Sequence, residues 1–229
     1  PHGLIGARIA YLTLHKGVHY RVDELMDEAI AFMEGAGATV IEIDEISKVD
    51  LGDPAFQVLL YEFKQGLNEY FTALGDNAPV KSLEELIEVT FADEIEMQYF
   101  DHELLKMAEE KGDLNSEEYL DALEEVLLNS RAGGIDRVMD RYNLDAIIAP
   151  SGNPAGETDL TNGDNFGQSS SRHAARAGYP NISVPMGFID GLPVGLSIFG
   201  RAWSEPLLLE IAYSYEQGTE HRKAPEFLD

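Results

Sequence analysis

The stretch ARIAYLTLHKGVHYRVDELMDEAIAFMEGAGATVIEID, residues 7–44, changes its periodicity twice. Ala7 to Leu14 is short, apolar and rich in strand formers, and His15-Lys16-Gly17 breaks it. From Val22 to Met33 the apolar residues Val22, Leu25, Met26, Ile30 and Met33 recur three and four apart, and Gly35-Ala36-Gly37 supplies a stop. That spacing predicts an amphipathic helix. Thr39 to Asp44 reads as a second strand. Strand, helix and strand in this order make a βαβ unit over residues 1–50, with parallel strands and a right-handed crossover. The chain opens as an α/β fold.

Outward from that unit, residues 53–143 read as an almost purely helical insertion. Asp53-Pro54 predicts a helix start, with Phe56, Leu59, Leu60, Phe63, Leu67, Phe71 and Leu74 on one face. Ser82-Leu83-Glu84-Glu85 matches a capping box. Leu104, Leu105 and Met107 follow His102 in a third helix. Ser116 opens the longest one, reaching about Arg141 with an interruption at Gly133-Gly134. Residues 144–229 return to core strands. Asp145 to Pro150 is a continuous apolar run, and a polar, Gly-rich loop of a length that is usually functional leads to a short helix at Ser171 to Ala177. Asn181 to Gly200 (NISVPMGFIDGLPVGLSIFG) predicts a hairpin turning at Asp190-Gly191, short or irregular at Pro185 and Pro193, and Pro206 to Glu216 is a terminal helix.

The chain carries 42 acidic and 16 basic residues, a formal net charge of -26, and 44% of it is hydrophobic. This argues against a nucleic-acid-binding surface, which needs clustered Lys and Arg, and no nucleic-acid partner is expected. With no Cys, thiol nucleophiles, disulfides and Cys-based metal sites are excluded. No apolar run approaches the ~20 residues of a membrane span, so a soluble protein with no membrane partner is expected; a cytoplasmic location is expected, with periplasmic and secreted ones left open.

Three clusters are candidates for chemistry. Gln168, Ser169, Ser170 and Ser171 sit where the loop enters a helix, and one of these serines serves as an N-cap on the plain reading. His173 lies close enough for a Ser-His pair to be considered, but no G-x-S-x-G elbow is present. His15 and His19 have the i, i+4 separation of a helical zinc site, yet Gly17 stands between them and the Glu of H-E-x-x-H is absent. No metal and no cofactor are expected.

The carboxy-terminal third carries a more specific pattern. It contains Ala149-Pro150-Ser151, Asn162-Gly163-Asp164, Ala177-Gly178-Tyr179-Pro180, Ser183-Val184-Pro185, Gly191-Leu192-Pro193-Val194-Gly195-Leu196 and Phe199-Gly200-Arg201-Ala202-Trp203-Ser204-Glu205. This pattern closely resembles the carboxy-terminal half of the amidase signature family, in particular its peptide-amidase-like and general amidase members. The resemblance implies a mixed β-sheet core covered by helices, as part of a single amidase domain. It also implies hydrolysis of a carboxamide, a C–N bond outside the peptide backbone. The family works through a Ser nucleophile, a second Ser held by a cis peptide and a Lys, in an amino-terminal signature with no counterpart in this sequence.

No catalytic residue is therefore assigned, and the isolated chain is expected to be inactive. Ser151, Gln168, Ser169 and Ser170 are expected to bind substrate. The expected partners are a small amide substrate, the missing amino-terminal half of the same enzyme, and further copies of the chain, since a half-fold should expose apolar surface. A non-catalytic binding module derived from this fold, or a transamidation component that works on misacylated transfer RNA, are the alternatives.

Overall fold

The computed structural model describes residues 2–165 and 167–225, with strands β1 (Arg8–Leu12), β2 (Thr39–Ile43), β3 (Ala146–Pro150), β4 (Asn181–Ile189) and β5 (Leu192–Phe199). The helices are α1 (Tyr20–Gly35), α2 (Gly52–Leu74), α3 (Leu83–Ala92), α4 (Glu103–Glu109), α5 (Glu117–Ser130), α6 (Asp136–Tyr142), α7 (Ser171–Ala177) and α8 (Glu205–Thr219). They form two compact units: a sheet unit of residues up to Val49 together with those from Leu127 on, and a helical unit, Asp50–Val126.

The sheet has five strands in the order β2-β1-β3-β5-β4. β1 runs parallel to both β2 and β3, in the registers Ile9↔Val40 and Ile9↔Ala146. β5 is antiparallel to β3 and to β4. The mixed sheet is thus the one expected, and its two faces are covered by different helices. One face packs Ile9, Tyr11, Ile148 and Leu196 against Val22, Met26 and Met33 of α1 and Leu208 and Ile211 of α8. The other packs Ala10, Leu12, Ile147 and Phe199 against Val138 and Met139 of α6 and Ala174 and Ala177 of α7. The central β3 is buried on both sides along its whole length, which is why it reads as an unbroken apolar run.

The Asp190-Gly191 turn has φ of 51° and 86° at its two residues, the doubly left-handed pair of a type I′ turn, whose twist matches that of the strands. At Pro185 the register shifts, with a bulge between Pro185 and Gly187. At Pro193 it does not. Pro193 pairs with Phe188 near the turn, and β3 pairs only with residues 196–199 of β5. No neighbouring strand reaches its missing N–H on that side.

In the helical unit Leu60, Leu83 and Ala108 form the centre, with Phe56, Leu67 and Leu105 packed around them. Tyr61 Oη donates to Glu118 at 2.6 Å and Tyr119 Oη donates to Glu62 at 2.9 Å. The two tyrosines thereby tie α2 to α5 in both directions. Ser82 caps α3 as expected, its Oγ accepting from the Glu85 N–H at 3.1 Å. Asp53, in contrast, is not a cap. Asp50 Oδ1 accepts from Gly52 N at 2.9 Å and turns the chain earlier, so α2 begins at Gly52. The interruption at Gly133-Gly134 is real: Gly134 leaves helical geometry, and a Cβ there would lie 2.6 Å from the Asn129 carbonyl oxygen. Beyond it, α6 packs on the sheet. No described helix is long and apolar enough to cross a membrane.

Candidate functional site

The chain leaves β1 toward β2 on one side and returns to β3 on the other. In open α/β sheets such a reversal opens a crevice at the carboxyl ends of the two strands. Here those ends are followed by His15, which closes a 3₁₀ turn after β1, and by Ser151, which follows Pro150 of β3.

Ser151 is held on both sides. Its N–H donates to the Gly195 carbonyl at 2.8 Å. Its Oγ lies 2.7 Å from Ser183 Oγ and 2.9 Å from Ser197 Oγ. Three hydroxyls from β3, β4 and β5 therefore form a ladder from exposed Ser183 to buried Ser197. Gly195 makes room for it, because a Cβ at that position would sit 2.7 Å from Ser183 Oγ and 2.8 Å from Ser151 Oγ. A serine whose hydroxyl partners are two other serines has no base to activate it.

The loop then folds back on itself. Gly152 pairs with Ser169 in an isolated antiparallel bridge, which brings Gln168, Ser169 and Ser170 alongside Ser151. Asn153 is packed against Gly167, where a Cβ would lie inside the Asn153 side chain. Farther out, Asp159 Oδ1 accepts from the N–H groups of Thr161 and Asn162 at 2.9 and 3.0 Å. These bonds, led by that from the Asn162 side chain, hold the Asp159 carboxyl below the usual carboxylate range.

Gln168 is 5% exposed and Ser170 1%, yet Gln168 Nε2 and Ser170 Oγ have no hydrogen-bond partner among the described residues. Asn153 Oδ1, His15 Nε2 and His173 Nε2 share that condition. Buried polar atoms left unpaired cost about 1–3 kcal/mol each. A cluster of them is a standing demand for a ligand or water that supplies the missing bonds. Gln168 Nε2 and the Ser170 hydroxyl can donate to a carbonyl oxygen, and Asn153 Oδ1 can accept from an N–H. That set is complementary to a carboxamide.

As the plain reading expects, one of the serines, Ser170, occupies the N-cap position of α7, but its side chain makes no capping bond. Its hydroxyl is buried instead. His173 stacks on Phe199 with ring planes 7° apart, and burial, helped by Arg172 and Arg176, lowers its pKa to about 4. It is neutral at pH 7, and its buried Nε2 has no hydrogen-bond partner among the described residues. His15 is also lowered, by burial and by Arg172, against a hydrogen bond with the Ser169 backbone. His15 ends the 3₁₀ turn while His19 precedes α1, so the two do not share a helix face. Among the described residues no group of three or more His, Asp or Glu side chains is placed to hold a metal ion.

Ser197 and Asn153 carry no signal in the sequence, and Ser183 stands there only within the Ser183-Val184-Pro185 motif, not as a site residue. The places of Ser183 and Ser197 could have been found only from the strand register, since they lie 32 and 46 residues from Ser151.

The family model described as Amidase matches residues 3–209. A probable amidase of Arabidopsis thaliana is 31% identical over 99% of this chain, which spans 41% of that relative. The native peptide amidase of Stenotrophomonas maltophilia superposes with a TM-score of 0.88 at 37% identity, over 99% of this chain and 46% of that one. A component of the glutamyl-tRNA(Gln) amidotransferase of Methanosarcina barkeri is 54% identical over a segment covering 21% of this chain and 10% of the relative. The chain thus spans less than half the length of each of these relatives.

Proposed function

This chain belongs to the amidase family, and from that premise we propose that it serves in the hydrolysis of carboxamides outside the peptide backbone. In this reading residues 1–229 are the carboxy-terminal part of a single amidase domain. Water is consumed, the C–N bond of R–CO–NH₂ breaks, and a carboxylate and ammonium leave. The contribution of this chain is the substrate pocket: Ser151, Gln168, Ser169 and Ser170 hold the amide. The Ser-Ser-Lys machinery is supplied by polypeptide outside these residues, joined to the sheet unit through the edge strand β2 or β4.

The observation that carries the reading is the pair of buried groups Gln168 Nε2 and Ser170 Oγ, without hydrogen-bond partners among the described residues, on the strand bridge that follows Ser151 at the carboxyl end of β3. Acyl transfer needs nucleophile, base and oxyanion donors in one site, and neither Ser151 nor His173 has such company. The test is ammonia release from an N-acylated dipeptide amide. The 229-residue chain alone is expected to release none, and the chain mixed with the amino-terminal portion of a peptide-amidase relative is expected to release it. Turnover by the lone chain overturns the division of labour. Inactivity of the mixture, with both pieces bound to each other, overturns the assignment of substrate.

The local likeness to amidotransferase components favours a second reading, in which ammonia from an amide is passed on to misacylated transfer RNA. The net charge of -26 weighs against an RNA surface on this chain. Retention on a column of immobilised transfer RNA at physiological salt would reverse that order.

A further inference from the structure

The helical unit carries a feature that the amide site does not use. Leu59, Phe63, Phe100 and Leu104 line a half-open groove of about 410 Å³, with Asp101 and Glu103 in its wall. This volume falls in the range of ordinary binding pockets. The lining residues are exposed for apolar side chains: Leu59 is 53%, Phe100 62% and Leu104 49% accessible. Leu59 and Phe63 are one helical turn apart on α2, on the flank of the stripe that buries Leu60. The wall is braced from behind, with the His102 ring edge-on to both Phe91 and Phe100 and its Nε2 3.3 Å from the Glu96 carbonyl.

Charge says what would fill it. Residues 50–126 hold 21 Asp and Glu against four Lys and no Arg, a net charge of -17, whereas the rest of the chain holds 21 acidic against 12 basic residues. All four lysines are engaged inside the unit. Lys64 pairs with Glu109 and donates to two carbonyls, and Lys81 donates to the Gly75 carbonyl. Lys106 lies 3.7 Å from the centre of the Phe91 ring, and Lys111 pairs with Glu118. Asp101 and Glu103 form no ion pair among the described residues. In the segment DEIEMQYFDHELL, residues 93–105, apolar side chains alternate with carboxylates. In the same segment Ile95 and Tyr99 are 77% and 57% exposed. The unit has no strand edge to augment, so a helix laid in the groove is the recognition mode that fits.

We propose that this groove binds a basic amphipathic helix of a partner protein, with an apolar anchor seated among Leu59, Phe63, Phe100 and Leu104 and Lys or Arg side chains facing Asp101 and Glu103. A second copy of this chain is a poor occupant, since it would bring one unit of -17 against another. A neutral apolar ligand would gain nothing from the exposed carboxylates of the wall.

The test is fluorescence anisotropy of a fluorescein-labelled Leu/Lys amphipathic helix titrated with the 229-residue chain, beside a Leu/Glu helix of the same pattern. The Leu/Lys helix is expected to bind, and the Leu/Glu helix about tenfold or more weaker. Asp101→Lys with Glu103→Lys is expected to weaken binding about tenfold, and so is Phe100→Ser with Leu104→Ser, about 1.4 kcal/mol each. Glu84→Lys with Glu88→Lys, exposed charges of α3 that do not line the groove, should change it less than about twofold at physiological salt, where exposed charges are largely screened. Circular dichroism of each variant guards against unfolding. Equal weakening by the α3 pair means attraction to bulk charge only, and overturns the site. Concentration-dependent dimerisation abolished by the Phe100 and Leu104 changes assigns the groove to a second copy, and overturns the partner.

Discussion

The sheet unit and the helical unit invert each other's use of polarity. In the first, apolar side chains are packed on both faces of the sheet, and polar atoms are buried without partners at the carboxyl end of β3. In the second, the charge is outside and abundant, while apolar side chains line an open groove. Both arrangements leave a free energy unsatisfied. A buried unpaired Gln168 or Ser170 asks for hydrogen bonds from a small polar molecule, and exposed Phe100 and Leu104 ask for apolar area from something larger. The proposed amide site and the proposed partner groove thus fall in different units.

That contrast can be broken at its strongest point first. Ile148 is fully buried in β3, so Ile148→Ala should cost about 2–5 kcal/mol, whereas Leu59→Ala, at the groove, should stay within about 1 kcal/mol. Urea denaturation of the two variants checks this, and equal costs would mean that the groove is closed in solution. A somewhat smaller effect attaches to pH. His173 falls from 6.5 to about 4 on folding, so the unfolded chain binds more protons between those values and stability must decline as pH falls through that window. The contribution is fully present above pH 6.5 and approaches about 3 kcal/mol at its largest. His173→Gln should flatten the decline measured by thermal unfolding between pH 7 and 4, leaving the shares of His15 and of carboxylates such as Glu118, which are lowered too and lose stability in the same direction. An unchanged slope would show that His173 is accessible to water.

In the helical unit, removal of the α3 cap by Ser82→Ala should cost about 1 kcal/mol, read as a lower urea midpoint. The smallest effect is expected at the exposed Arg21–Asp190 pair that ties α1 to the hairpin turn. Arg21→Ala should cost no more than about 1 kcal/mol, and less still in high salt.

Local signals in the sequence reached much of this. The change from period two to period 3.6 located β1, α1 and β2, the serine before Leu83 located the α3 cap, and Gly133-Gly134 located the interruption ahead of α6. The hydroxyl ladder was not legible, because Ser151, Ser183 and Ser197 meet only through the register of three strands, and register follows from packing across the whole sheet. The approach of His15 to Ser169 is equally non-local. Asp53 misled because a cap and an Asx turn use the same residue type, and Asp50 won the start of α2. The groove escaped notice because α2 presents one continuous apolar stripe in sequence, and only the packing of α3 and α4 decides which flank is left open.

The central claim is that this chain furnishes an amide pocket without its nucleophile. Its most direct test is a fluorophosphonate, which phosphonylates an activated serine. After incubation with the probe, the 229-residue chain is digested and its peptides are weighed by mass spectrometry. No adduct is expected on any serine, Ser151, Ser169, Ser170 and Ser171 included. A stoichiometric adduct on one of them would contradict the account and show that this chain carries an activated serine of its own.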